Sequence, residues 1–341
     1  MPFRIGLTRD FLTPTGDVAF GDIGLSLLDS PGVEWGFLAE NTPELRPDQI
    51  AGYDGLLVLG PKVTAGTLAG NDRLAVVARF GVGYDNIDVQ ACTAAGVALT
   101  ITPDGVRRPV AVSAITFPLA CSHKLLVKDR LTRAGRWAEK LNHMGMGVTG
   151  RTLGVIGVGN IGREIFHLAK PFDMRHLGYD PFLTTASDGV ELVPLDRLLG
   201  ESDFVVVCCS LSKKTHHLLN AERLGRMKPT AYLINVARGP IVDQAALTAA
   251  LQQNRIAGAG LDVFDPEPIA ADDPLLTLDN VILAPHAVCW TDECFRNNGR
   301  SACHSLLAVG HGKAPEFVVN REVLTSPKFL NRLAQFTRGL A

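Results

Sequence analysis

The stretch from Thr152 to Asp180 constrains this chain more than any other. An apolar run of strand length, Thr152–Ile156, passes directly into Gly157-Val158-Gly159-Asn160-Ile161-Gly162, and the next strand-like run ends in Tyr179-Asp180. In such a turn the first glycine makes the sharp bend. The second admits a ligand close to the backbone, and the third lets a helix sit tightly on the strand. Ile161, Ile165, Leu168 and Ala169 recur at i, i+4, i+7 and i+8, so a helix with one buried stripe follows the loop. Its first N–H groups face a pyrophosphate. A lone Gly-x-Gly-x-x-Gly is weak, but a strand before it, a helix after it and an acid 18 residues beyond Gly162 define a dinucleotide site.

Gly157, Gly159, Asn160, Ile161 and Gly162 are therefore the expected pyrophosphate residues, with Asp180 on the adenosine ribose. A carboxylate accepts hydrogen bonds from both ribose hydroxyls and repels a 2′-phosphate, which favours NAD over NADP. Opening a turn with Pro181 is a plainer role for Asp180 and is compatible with the first. Arg163 either reaches a cofactor phosphate or stays solvated.

From Arg151 onward one unit repeats, a short apolar run followed by an amphipathic stretch, the pattern of a parallel sheet covered by helices. The runs are Thr152–Ile156, Arg175–Asp180, Phe204–Cys209, Ala231–Val236, Ala257–Val263 and Val281–Ala284. A looser alternation, Arg4–Leu7, Gly55–Leu59, Ala75–Phe80 and Val97–Ile101, indicates a second α/β domain. Length supports two domains, since 341 residues at 46% hydrophobic and 20% charged exceed one ordinary core. Val110–Leu126 is long and apolar, which predicts a helix buried between lobes or subunits. The stretch after about Thr291 is helical in pattern and is expected to pack back on the amino-terminal lobe.

A net charge of −2 leaves no electrostatic footprint for nucleic acid or an anionic membrane. The amino terminus shows no secretory pattern and no apolar run spans a bilayer, so a cytoplasmic protein is expected. Seven scattered cysteines fit neither a disulfide framework nor a metal knuckle, so reduced, packed thiols and no metal site are expected.

Three residue types at strand ends carry chemistry. Arg238 follows Ala231–Val236 in Asn235-Val236-Ala237-Arg238-Gly239, and its planar fork suits bidentate capture of a carboxylate. Glu267 lies in Asp265-Pro266-Glu267-Pro268, where the prolines limit the loop. His286 follows Val281–Ala284 and titrates near neutrality. Each alone has a structural reading as a salt bridge or loop residue; together they meet the needs of hydride transfer at a hydroxy acid, which are a cation, an acid/base and a group that orients it.

The set resembles the D-isomer-specific 2-hydroxyacid dehydrogenase family, which includes glyoxylate/hydroxypyruvate reductases and phosphoglycerate dehydrogenases. It rests on Gly157–Gly162 with Asp180, on Asn235–Gly239 followed by Val242-Asp243, on Gly260-Leu261-Asp262-Val263-Phe264 leading to Glu267-Pro268, and on Pro285-His286. The resemblance implies an α/β fold of two Rossmann-like/flavodoxin-like domains with an inter-lobe active-site cleft. Residues 1–103 with 291–341 would form the substrate domain, and residues 104–290 the NAD-binding domain. It implies that Arg238 binds the substrate carboxylate, His286 is the acid/base and Glu267 tunes it. Val236, Ala237, Asp262 and His286 would lie by the nicotinamide, with Asp262 holding the carboxamide or merely capping a strand end. The loop Gly81-Val82-Gly83 would set its backbone against the substrate, a small 2-oxo or 2-hydroxy carboxylate. A homodimer built on the Val110–Leu126 helix is also implied.

Two places depart from the family pattern. Val112 stands where a glutamate is common, and Trp290 stands in a stretch after His286 where small residues are usual. Trp290 is expected to fill part of the substrate pocket or cover the inter-lobe hinge, or else to be a core aromatic. Two alternatives remain open on sequence alone: a formate dehydrogenase-like activity, which pairs the histidine with an amide where Glu267 stands, and an NAD-sensing corepressor-like binding protein.

Overall fold

A computed structural model describes residues 2–185 and 189–337, the last through its backbone only, so the final four residues of the expected substrate domain lie outside it. The chain divides into two compact units, Met1–Val106 with Trp290–Ala341, and Arg107–Cys289.

In the first unit five strands form one parallel sheet: β1 (Phe3–Leu7), β2 (Val33–Phe37), β3 (Gly55–Val58), β4 (Val76–Arg79) and β5 (Ala98–Thr100), in the order β2-β1-β3-β4-β5. That is the flavodoxin-like order. The sequence reading found four of these and missed β2. The reason is physical: β2 is an edge strand with no fully buried residue, so its Val33-Glu34-Trp35-Gly36-Phe37 lacks the continuous apolar signal of its neighbours. Helices α1 (Pro47–Ile50) and α2 (Val89–Ala95) belong to this unit, and the Asp88 side chain caps α2 by accepting from the Ala91 N–H at 2.9 Å.

The chain's end returns to the same sheet. In α9 (Asp292–Gly310), Ala302, Cys303, Leu306 and Val309 join Phe3, Ile5 and Leu7 in one core. In α10 (Pro327–Thr337), the buried Arg332 donates to the carbonyls of Asp72, Leu74, Ala95 and Gly96, which ties the helix to two loops of the amino-terminal sheet.

In the second unit seven strands form a parallel sheet: β6 (Thr152–Ile156), β7 (Arg175–Tyr179), β8 (Val190–Leu192), β9 (Phe204–Val207), β10 (Tyr232–Asn235), β11 (Gly258–Leu261) and β12 (Val281–Leu283). Their order, β12-β11-β10-β9-β6-β7-β8, is the doubly wound dinucleotide-binding order extended by one strand. The chain reverses direction across the sheet between β6 and β9, which opens a crevice at their carboxyl ends. Central strands are buried throughout, as Phe204-Val205-Val206-Val207 shows, and so read as unbroken apolar runs. The six expected strands become seven because β8, three half-exposed residues at the edge, carries no such run.

Helix α3 (Pro103–Ser122) starts earlier than the apolar segment suggested and ends sooner. Lys124, in the left-handed region at φ 51°, breaks it from α4 (Leu125–Arg133), so Val110–Leu126 is not one helix. The remaining helices are α5 (Asn160–Ala169), α6 (Leu195–Glu201), α7 (Ala221–Leu224) and α8 (Gln244–Gln252). Ile165, Phe166 and Ala169 of α5 are buried against Leu153 and Val155 of β6, the stripe that the i, i+4 spacing required. Among the described residues no single helix is long and apolar enough to cross a membrane, and the seven cysteines form no disulfide.

Candidate active site

The glycine loop shows three distinct requirements. Gly157 has φ 97° and abuts β9's end, where a methyl group would come within 2.7 Å of the Cys209 backbone. A methyl group on Gly162 would overlap the Gly157 carbonyl, so α5 can approach β6 only with glycine there. Nothing stands within 4 Å of where a side chain on Gly159 would begin, which leaves the open cradle that a pyrophosphate needs. As the residue before α5, Gly159 offers no side-chain cap, and the first N–H groups of the helix face outward. Asp180 accepts from the Val158 N–H through Oδ2 and from the Phe182 N–H through Oδ1, both at 3.0 Å. Each oxygen keeps a second lone pair for a ribose hydroxyl. These residues fit a dinucleotide. Arg163 is exposed on the helix surface.

Arg238, Glu267 and His286 follow β10, β11 and β12, three adjacent strands, and the fold brings them together. His286 Nδ1 lies 2.8 Å from Glu267 Oε2, while Glu267 Oε1 accepts from the Phe264 N–H at 2.9 Å. Both carboxylate oxygens are thereby fixed, and Nε2 has no hydrogen-bond partner among the described residues. The Glu267 hydrogen bond raises the His286 imidazole above its ordinary value, with burial and the Arg238 charge opposing. For Glu267, burial pushes upward, but the bonds from His286 and Phe264 and the charges of His286 and Arg238 outweigh it and hold the carboxyl low. The Arg238 guanidinium thus lies close enough to act on both partners, and its Nη1 donates to the Ala237 carbonyl at 2.7 Å.

Two residues shape these loops: Asn235, to which the sequence assigned no role of its own, and Asp262, for which it left open the nicotinamide carboxamide or a cap at the strand end. Asn235, 2% exposed, donates from Nδ2 to the Arg238 carbonyl at 3.0 Å and accepts at Oδ1 from the Ala237 N–H at 3.1 Å, folding Val236 and Ala237 into a tight turn. An asparagine at a strand end bonding two residues ahead is the available signal. Asp262 accepts at Oδ1 from the N–H groups of Ala287 and Val288, at 2.9 and 3.0 Å, and its carbonyl accepts from the His286 N–H at 2.8 Å. This harness holds His286 at φ 53°, a left-handed conformation that costs a residue with a Cβ about 1–2 kcal/mol. Burial raises the Asp262 carboxyl, against the two N–H donors.

In the first unit, Gly81 has φ 127° and donates its N–H to Thr102 Oγ1 at 2.9 Å. Arg79 straps the same loop, its Nε donating to the Gly83 carbonyl at 2.7 Å. The N–H groups of Val82 and Gly83 have no partner among the described residues. Trp290 is 54% exposed and packs edge-on against Phe20 and Phe295, with ring centroids 5.4 and 5.2 Å apart, at the rim of an aromatic cluster that includes Phe80. It is not a fully buried core aromatic. Val112 is 46% exposed on α3.

A sheet wound in this order, with an open glycine turn, an acid ending the next strand and a hydrogen-bonded His–Glu pair at strand ends, defines a nicotinamide-dinucleotide dehydrogenase. Residues 115–287 match the sequence model of the D-isomer specific 2-hydroxyacid dehydrogenase NAD binding domain. A glyoxylate reductase of Korarchaeum cryptofilum is 43% identical over 74% of this chain and 78% of its own. One from Thermococcus onnurineus is 40% identical over 85% and 89%. The solved NADPH-dependent glyoxylate/hydroxypyruvate reductase of Sinorhizobium meliloti, in complex with NADP and malonate, superposes with a TM-score of 0.80 at 28% identity, covering 94% of this chain and 98% of its own. This chain belongs to the D-isomer-specific 2-hydroxyacid dehydrogenase family and is an NAD(P)-dependent dehydrogenase.

Proposed function

We propose that this enzyme reduces a small 2-oxo acid of the glyoxylate or hydroxypyruvate class to its 2-hydroxy acid, with NADH as the reductant. One observation carries the reading: the 2.8 Å His286–Glu267 pair, whose carboxylate is itself pinned by the Phe264 N–H. Bound NADH supplies the hydride. Arg238 holds the substrate carboxylate through its planar fork. His286, kept protonated by Glu267, donates a proton from Nε2 to the carbonyl oxygen, and in the reverse direction the neutral ring takes the hydroxyl proton. Val236, Ala237 and Asp262 line the nicotinamide side. Asp180 selects NADH by accepting from both ribose hydroxyls, although the Sinorhizobium relative is named for NADPH.

The enzyme is further proposed to be a homodimer, which would cover the exposed Trp137, Leu141 and Met144, at 66%, 82% and 83% exposure. The deciding experiment is NADH oxidation with glyoxylate, hydroxypyruvate, pyruvate and larger 2-oxo acids. Turnover is expected with the smaller acids, and His286→Ala is expected to lose roughly 10²–10⁴-fold in kcat with NADH affinity retained. Near-normal turnover by that variant would remove His286 from catalysis.

A further inference from the structure

Gln244 is the first residue of α8, and the loop that carries Arg238 runs straight into it. Its side-chain amide spans the neighbouring loop, the one that carries Glu267. Oε1 accepts from the Asp265 N–H at 2.9 Å, and Nε2 donates to Asp273 Oδ2 at 2.8 Å. Glu267 stands between those two tie points, two residues after Asp265 and six before Asp273.

Both ties lead to fixed structure. Asp273 Oδ1 accepts from the Leu275 N–H at 2.9 Å, and the Asp273 N–H reaches the Ala270 carbonyl at 3.0 Å. Leu275 is fully buried within the core of the second unit. At the other end, α8 starts from a capped turn in which Asp243 Oδ1 accepts from the Ala246 N–H at 3.0 Å. The residue type at 244 is specific as well. One partner is an N–H donor and the other a carboxylate, so the side chain must accept at one atom and donate at another. Glutamine does both. Glutamate would still accept from Asp265 but would set two carboxylates face to face, and alanine would meet neither partner.

We propose that Gln244 is a positioning residue for the acid/base pair: by holding the Asp265–Asp273 loop at two points it keeps the Glu267 carboxylate against His286 Nδ1. Gln244 acts through Glu267 rather than on substrate or cofactor, and the proposal rests on the reading of His286 as the acid and Glu267 as its partner. The Glu267 hydrogen bond is the largest influence raising the His286 imidazole, so a displaced carboxylate is read directly in the titration of that ring. Arg238 and Asp262 also act on the ring, the first lowering and the second raising it, and neither is altered in the variants below.

The test follows the His286 imidazole by NMR in the full-length, NAD-saturated enzyme, its resonance assigned by its absence from His286→Ala. The pH profile of kcat/KM for glyoxylate reduction is measured alongside. In Gln244→Ala the imidazole should titrate at lower pH than in the native enzyme. Its kcat/KM just above neutrality should fall about threefold to tenfold, as for one or two neutral hydrogen bonds, with NADH affinity unchanged. Gln244→Glu should be impaired at least as much. Gln244→Glu combined with Asp273→Asn should recover, because donor and acceptor have then changed places. The proposal is overturned if Gln244→Ala titrates and reacts as the native enzyme does, or if Asp273→Asn fails to rescue Gln244→Glu, which would leave Gln244 a support of α8 alone. A titration that shifts while the rate profile stays upholds the hold of Gln244 on Glu267 and overturns instead the acid role of His286.

Discussion

Replacing Glu267 by glutamine keeps the side chain's size and its acceptor for the Phe264 N–H but removes the charge facing His286. In the native pair the atoms are 2.8 Å apart, and the side chains remain 48% exposed for His286 and 35% for Glu267. Unit charges about 4 Å apart attract by ~1 kcal/mol in water and ~4 kcal/mol at an effective dielectric constant of ~20. Solvent screens a pair this open, which places it near the lower figure, at about 1.5 kcal/mol. Because Glu267 raises the imidazole, imidazolium persists above its usual range. Reduction, which consumes that proton, is retained through neutral pH and lost as pH rises through the raised value. In Glu267→Gln the alkaline limb of kcat/KM for reduction moves to lower pH. The rate just above neutrality falls roughly tenfold, since 1.4 kcal/mol is a factor of ten, and recovers at acidic pH. Oxidation needs the neutral ring, so its acid limb moves to lower pH too and its rate near neutrality is maintained. Initial rates followed by NADH absorbance in both directions from about pH 5 to pH 9 check this. A loss of the same size at every pH and in both directions would refute the electrostatic argument and leave Glu267 an orienting group alone.

The other predictions concern how the site is held. Asp180→Ser removes the ribose acceptor and the repulsion of a 2′-phosphate, so kcat/KM with NADH should fall about tenfold to a hundredfold while NADPH improves; an unchanged NADH to NADPH ratio would assign the selection elsewhere. In Gly239→Ala the new methyl group overlaps the Phe264 carbonyl, forcing apart the loops that carry Arg238 and Glu267. About 1–3 kcal/mol of stability and several degrees of Tm should be lost in calorimetry, and an unaltered Tm would deny that the two loops are in contact. Asn235→Ala strips the part-buried Ala237 N–H of its acceptor and leaves the Arg238 carbonyl only the Ile241 N–H, a cost of about 1–3 kcal/mol, and should raise KM for the 2-oxo acid while NADH affinity, measured by fluorescence titration, stays near wild type. Equal losses in both would make Asn235 a general support of the sheet edge.

What was legible in the sequence was whatever a local conformation or a buried run demands. The glycine loop could be read because Gly157, Gly159 and Gly162 each meet a requirement set within a few residues, and the central strands because both their faces are covered. Strands β2 and β8 were not legible, since an edge strand needs only one apolar face and three to five residues leave little pattern. The break at Lys124 was hidden because a left-handed lysine carries no compositional mark, and the apolar run continues across it.

Asp262 shows where reading by residue type stops. An acid at a strand end invites a role toward a ligand, and the sequence reading left open the nicotinamide carboxamide or a cap at the strand end. In the structure Oδ1 is already committed to the N–H groups of Ala287 and Val288, and the backbone carbonyl of the same residue restrains the His286 N–H. The side chain's first task is thus to hold an imidazole-bearing residue in a backbone conformation that it would not adopt alone. Any ligand contact falls to Oδ2. The two tasks reinforce one another, because a carboxylate anchored through one oxygen presents the other at a fixed place, on the same turn that sets His286. Neither the length of that turn nor the composition around it signals the coupling. It arises from β11 and β12 lying side by side, so that the end of one strand reaches the first turn after the other.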